Sequence, residues 1–160
     1  YSEKGDYDRA IGDFDEALKI EPYLANAWNN RGLAKSLKGE YDQAIEDYDE
    51  CLRLNPRHAA AYVNRGMAYA QAKKDYPKAV ADFDQAIRYD PKRAMAWNNR
   101  GMVWAALKDY EKAITDYDVA LKLKADYTNA LLNRGRARQA LGSKTDADKD
   151  FAEARRRAGR

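Results

Sequence analysis

The tripeptide Asn-Arg-Gly occurs four times in this chain, at residues 30–32, 64–66, 99–101 and 133–135, with intervals of 34, 35 and 34 residues. A second set keeps the same interval: Tyr7, Tyr41, Tyr76 and Tyr110, followed by Ala10, Ala44, Ala79 and Ala113, then by Phe14, Tyr48, Phe83 and Tyr117. A fixed interval of this length means that one supersecondary unit is built several times over. The extra residue of the second interval falls around residues 72–75. The expectation is that a turn between helices absorbs it, because a packed helix would not.

Each interval reads as two helices. From Ala25 the small and apolar positions Ala27, Trp28, Gly32 and Ala34 follow helical spacing until Lys38-Gly39-Glu40 interrupts them. From Tyr41 the set Ala44, Ile45, Tyr48, Cys51 and Leu52 forms one stripe on a second helix, closed by Asn55-Pro56. A single such hairpin cannot bury its apolar face alone, so neighbours must stack. The expected fold class is therefore all-α, a solenoid of antiparallel helix pairs. Its expected divisions are a partial repeat over 1–24, repeats over 25–58, 59–93 and 94–127, and a degenerate capping repeat over 128–160.

The pattern Trp28, Gly32, Tyr41, Ala44, Tyr48, Cys51, Pro56, recurring at 62–91 and 97–120, resembles the tetratricopeptide repeat. The likeness extends over essentially the whole chain, and its style of near-identical tandem units is that of bacterial arrays. It implies a right-handed superhelix whose first helices line a concave side. This chain departs from the family pattern at Cys51, where a small Ala is usual, and at Arg31 and its equivalents, where Leu is usual.

Glycine inside a helix costs about 1 kcal/mol relative to Ala, so Gly32, Gly66, Gly101 and Gly135 imply close approach between helices. Trp28, Tyr62 and Trp97 are expected to fill the space between layers. Arg31, Arg65, Arg100 and Arg134 stand in register with Asp47, Asp82, Asp116 and Asp150, sixteen or seventeen residues later. Each guanidinium is expected to reach the Asp of its own repeat or that of the preceding one, Asp13 in the case of Arg31. Such a seam fixes register more than it adds energy.

If Trp28 faces the core, the opposite stripe carries Asn26, Asn29, Asn30, Leu33 and Ser36. Its counterparts are Val63, Asn64 and Met67, then Met95, Asn98, Asn99 and Met102, then Asn129, Leu132, Asn133 and Arg136. Amides offer a donor and an acceptor to an extended backbone, while Met and Leu accept varied side chains. The expected function is therefore a scaffold that holds a peptide or partner protein in its groove, with Asn30, Asn64, Asn99 and Asn133 as the main contact row. Family members that clamp acidic chaperone tails carry Lys at the slot of Asn29, Asn at that of Leu33, Asn in the next repeat, then Lys and Arg. Only Asn64 matches here, with Met95 and Asn99 in the third repeat, and starting one repeat later at Val63 and Met67 does no better.

Other chemistries find little footing. His58 is the only histidine and follows Pro56 in a loop, where it reads as a solvated residue. No Gly-rich phosphate loop or zinc-spaced Cys/His cluster occurs, and the Asp-aromatic-Asp triplets lack the Gly and Glu of a calcium loop. No enzymatic activity, cofactor or metal is expected. Charges nearly cancel at +3 overall, and the longest apolar run, 102–107, is too short to cross a bilayer, so neither nucleic acid nor membrane insertion is expected. The stretch from Tyr1 is not a signal peptide, so the compartment stays open between cytoplasm and periplasm, with a cytoplasmic setting favoured.

The two ends differ. Residues 128–160 carry nine basic and four acidic side chains, with Arg155 and Arg157 where earlier repeats have Leu121 and Leu123, which turns a stacking edge into a solvated cap. Near the amino end, Ile11, Phe14 and Leu18 belong to a second helix from Tyr7 whose first helix is reduced to residues 1–4. The expectations are a longer array cut at Tyr1, a homo-oligomer or end-to-end assembly through this end, or a targeting module of a larger enzyme.

Overall fold

The computed structural model describes residues 2–159 and, among them, nine α-helices and no strand. The chain divides into two compact units, one ending at Tyr89 and the other beginning at Asp90. The first holds α1 (Ser2–Ile20), α2 (Ala25–Lys38), α3 (Tyr41–Leu54), α4 (Ala59–Ala68) and α5 (Tyr76–Tyr89). The second holds α6 (Ala94–Ala106), α7 (Tyr110–Leu123), α8 (Thr128–Ala140) and α9 (Lys144–Ala158). Consecutive helices pack on one another within each unit, and α2 also meets α4, as α6 meets α8. The predicted helical hairpins are therefore present, stacked first helix against first helix.

The recurring small residues meet aromatic rings. A Cβ on Gly32 would lie 2.8 Å from Tyr48 Cε1 and 3.1 Å from the Ala44 carbonyl oxygen, and one on Gly101 would lie 2.7 Å from Tyr117 Cε1. Gly66 and Gly135 face Phe83 and Phe151 in the same way. Tyr48, Phe83 and Tyr117 are the largest fully buried side chains; Tyr48 packs with Ala44 and Ala68, and Tyr117 with Ala113 and Ala137. Trp28, Tyr62 and Trp97 are half-buried, and Trp28 and Tyr62 pack against the buried cluster of Cys51, Leu52 and Ala61. They also fasten the loops: Trp28 Nε1 donates to the Pro22 carbonyl at 2.8 Å, Tyr62 Oη to that of Pro56 at 3.3 Å and Trp97 Nε1 to that of Pro91 at 3.0 Å.

The turns inside the hairpins share one device. Gly39 and Gly142 adopt positive φ of 87° and 82°, and Lys74 and Lys108 take the equivalent left-handed conformation at 49° and 64°. The Gly39 N–H closes the end of α2 on the Lys35 and Ser36 carbonyls. The additional residue of the second repeat is not held in a turn. It is taken up by a π-helical turn, Tyr69–Lys73, that continues α4. A wider i→i+5 turn stores one residue without breaking the helix, which is why a helix can absorb what the sequence assigned to a loop.

Helix α1 runs unbroken from Ser2, so the expected break between a first-helix stub and a helix from Tyr7 is absent; Tyr1 itself lies outside the described residues. At the other end Arg155 is exposed, but Arg157 is not a solvated cap. It bonds Glu153 and the carbonyl of Ala125, the residue that stands where Pro22, Pro56 and Pro91 stand in earlier loops. Leu131 replaces the loop-fastening aromatic in this repeat, and Arg157 supplies the missing donor from α9.

Candidate peptide-binding face

In the first unit, α2 and α4 present the predicted face side by side. Between them lies a cleft of about 350 Å³ lined by Leu33, Ser36 and Leu37 of α2, Asn64, Met67 and Ala68 of α4, Gln71 of the π turn, and Tyr41 and Tyr48 from α3 beneath. Leu33 is 41% exposed and Leu37 56%. The Tyr48 hydroxyl meets Ser36 Oγ at 3.1 Å, and burial pushes its phenol up to about 12, so it stays a neutral hydroxyl. The cleft combines apolar walls, two primary amides and no ionised group.

The asparagines form short chains of amide hydrogen bonds. Asn64 Nδ2 donates to Asn29 Oδ1 at 3.0 Å, and Asn29 Nδ2 to Asn30 Oδ1 at 3.1 Å. The second unit repeats the arrangement, with Asn133 donating to Asn98 at 3.1 Å and Asn98 to Asn99 at 3.2 Å. Asn98 Nδ2 also reaches Met102 Sδ at 3.5 Å. The central amide of each chain is buried because it joins two helices, α2 to α4 or α6 to α8.

These bonds sort the predicted site residues. Asn26, Asn30, Leu33, Met95, Met102, Asn129 and Arg136 are exposed, and Ser36, Asn64, Met67, Leu132 and Asn133 are half-buried. Asn29, Val63, Asn98 and Asn99 are buried, and Val63, at 2% exposure, offers a ligand no surface. The position alternates Asn29, Val63, Asn98, Leu132 along the sequence, so a buried amide there has an apolar counterpart in the next hairpin.

The arginine seam is built from pairs of carboxylates. Arg31 is bidentate to Asp47, at 2.9 and 2.6 Å, and its Nη1 bonds Asp15 at 2.6 Å; the second partner is thus Asp15 and not Asp13. Arg65 holds Asp82 at 2.9 and 2.7 Å and Asp49 at 2.5 Å, and Arg134 holds Asp150 at 3.0 and 2.6 Å and Asp118 at 2.5 Å. Arg100 is likewise bidentate to Asp116. Two of the Asp-aromatic-Asp triplets divide their labour: Asp47 and Asp116 serve the Arg of their own hairpin, and Asp49 and Asp118 the Arg of the next. Hydrogen bonding to Asp47 foremost raises the Arg31 pKa; for Arg65, burial opposes the charge but Asp82 and Asp49 outweigh it. Arg31, Arg65 and Arg100 also lie over the rings of Trp28, Tyr62 and Trp97, at 4.5, 5.6 and 4.9 Å from their centroids.

His58 departs from its expected place in solvent. It is half-buried, caps α4 by accepting the Ala61 N–H on Nδ1 at 3.1 Å, and meets Asn26 Oδ1 through Nε2 at 2.8 Å. Nothing in its loop position announced this, although a side chain three residues before a helical N–H is where caps stand. No helix among the described residues is long and apolar enough to cross a membrane.

Family models described as tetratricopeptide repeat match residues 25–58 and 72–128, and one described as TPR repeat matches residues 1–39. Solved structures agree. The crystal structure of MamA superposes with a TM-score of 0.85 at 26% identity, over 98% of this chain and 91% of that one. The first TPR of Spaghetti (RPAP3) bound to HSP90 peptide SRMEEVD gives 0.71 at 28% identity, over 74% of this chain and 93% of its own. TTC0263, a thermophilic TPR protein of Thermus thermophilus, gives 0.82 at 24% identity over 98% and 85%. No curated protein sequence matches the chain. The chain belongs to the tetratricopeptide repeat family, and its fold is the all-α repeat array of that family.

Proposed function

We propose that the chain is a binding scaffold that holds an extended peptide, or an exposed segment of a partner protein, on the face formed by its first helices. The observation that carries this reading is the α2–α4 cleft, where exposed Leu33 and Leu37 and half-buried Met67 stand beside the amides of Asn64 and Gln71. An apolar side chain can fill such a pocket while amides at its rim bond the backbone on either side. Asn64 uses one N–H on Asn29, which leaves its other N–H and its oxygen for a ligand. The RPAP3 domain, similar over three quarters of this chain, holds a peptide, which supports the class of ligand without naming it.

The test is selection of binders from a random-peptide library on the intact chain, followed by titration of a selected peptide. Leu33→Glu and Met67→Glu each place a charge in the cleft and are expected to weaken binding at least about tenfold. NMR shifts on adding the peptide should cluster on α2 and α4. Shifts confined to α3 and α5, with both variants binding normally, would refute the assignment.

A further inference from the structure

We infer that the open face of α1, through Ala10, Asp13, Phe14 and Ala17, docks a helix of a partner protein that carries an arginine followed by a glycine. This face lies on a second helix and is independent of the cleft between α2 and α4. The first observation is a contrast between equivalent positions. Ala44, Tyr48 and Cys51 of α3, like Ala113, Tyr117 and Ala120 of α7, are at most 1% exposed. Their counterparts Ala10, Phe14 and Ala17 on α1 are only half-buried. Helix α3 is held between α2 and α4, and α7 between α6 and α8, whereas the neighbour of α1 is α2.

The same face carries an acid without its base. Asp47, Asp82, Asp116 and Asp150 are buried, and each accepts two hydrogen bonds from the arginine of its own hairpin. Asp13 stands in that register but is exposed, and it has no hydrogen bond or ion pair among the described residues. The neighbouring ring is unmatched too. Tyr48, Phe83, Tyr117 and Phe151 each meet the glycine of a first helix, and Phe14 meets no such glycine among the described residues.

The four closed hairpins state what this face accepts. An arginine forks onto the aspartate, and the glycine after it lets the backbone close on the ring. Charge complementarity points away from the folded chain as the source of that helix. Arg31, Arg65 and Arg134 each hold two aspartates already, and Arg100 holds Asp116. A second copy pairing through α1 brings another unmatched Asp13 in place of a base. Gly5-Asp6 stand where Gly39-Glu40, Lys74-Asp75 and Lys108-Asp109 form the turn from first to second helix, yet α1 runs straight through them from Ser2. The occupant is therefore a helix supplied by a different chain.

The probe is a fluorescein-labelled peptide with the sequence of residues 24–40, which presents Trp28, Arg31 and Gly32 of a first helix to the intact chain. Isolated helices of this length are marginal in water, so the titration runs to about 1 mM. Anisotropy should saturate, and NMR shifts in the chain should centre on Ala10, Asp13, Phe14 and Ala17. Asp13→Asn in the chain and Arg31→Met in the peptide should each weaken binding about tenfold, and the two together no more than either alone, as a direct pair requires. Gly32→Leu in the peptide should abolish binding. Because Asp13 has no partner to lose, Asp13→Asn should leave the melting curve of the chain unchanged, and Glu46→Gln, at an exposed acid of α3, should leave binding unchanged. No binding at 1 mM, independent effects of the two substitutions, or shifts confined to α2 and α4 would each overturn the assignment. So would a chain that sediments as a dimer and becomes monomeric on Phe14→Glu, since a second copy would then be the occupant. Each of these results leaves the reading of the α2–α4 cleft to its own test.

Discussion

Two glycines that both lie in the middle of a helix are predicted to respond oppositely to the same substitution. Gly12 lies in the middle of α1 with no atom within 4 Å of where a Cβ would stand, so Gly12→Ala should collect the helix-propensity gain of about 1 kcal/mol. Gly32 lies in the middle of α2, where the new methyl would sit 2.8 Å from Tyr48 Cε1 and 3.1 Å from the Ala44 carbonyl oxygen. Carbon atoms pack best at about 3.5 to 4.0 Å, so either ring or helix must move by roughly 1 Å. The ring has nowhere to go: it is fully buried and held by Ser36 at its hydroxyl. Overpacking of this kind costs about 1 to 3 kcal/mol, which meets or exceeds the propensity gain. Because that gain is common to both variants, the difference between them isolates the steric cost, about 2 kcal/mol. Urea unfolding followed by circular dichroism, with a slope of about 2 kcal/mol per M, should separate their midpoints by about 1 M. If Gly32→Ala stabilises the chain as much as Gly12→Ala, the close-approach explanation of the recurring glycine is wrong.

Lys108 holds a left-handed conformation that Gly39 and Gly142 occupy without strain, so Lys108→Gly should stabilise the chain by about 1 kcal/mol in a thermal melt. Trp28→Phe keeps an aromatic ring but removes the donor to the Pro22 carbonyl, and should cost about 1 kcal/mol in chemical denaturation, with faster amide exchange in the 21–24 loop. Hydrogen bonds from Arg156 and then Arg157 hold the Glu153 carboxyl down at about 2, against an ordinary value of 4.5. The stabilisation linked to this depressed group is therefore present above pH 4.5 and lost as pH falls toward 2; carboxyl NMR titration should find the low midpoint, and Arg156→Gln should raise it. The Cys51 thiol is fully buried and pushed up to about 11 by that burial, so Ellman's reagent should label it only at the rate at which the chain opens.

The hairpins and their stacking were legible because a repeat leaves the same packing problem at every interval. Gly32 and its equivalents, read together with the stripe through Ala44 and Tyr48, already implied two helices in close contact. The seam was half legible. Register identified Asp47 for Arg31, but Asp13 and Asp15 are two residues apart and face different sides of α1, so choosing between them required asking what the second Asp of each triplet does. The cleft was legible as a face and not as individual surfaces. Asn29 and Asn30 are adjacent, yet one is buried as a bridge to Asn64 and the other is exposed, a distinction set by the neighbouring helix and invisible to periodicity. The π turn escaped for a similar reason: where a surplus residue goes depends on whether widening a helix or lengthening a turn disturbs the packing less.

The paired carboxylates also bear on engineering. Asp15, Asp49 and Asp118 each reach the arginine of the hairpin that follows, but Ala152 occupies that slot in α9. A hairpin grafted after α9 would bring an arginine to a seat with no anion in it; replacing Ala152 with aspartate would supply that anion, and the leucines that Arg155 and Arg157 replace would have to be restored with it.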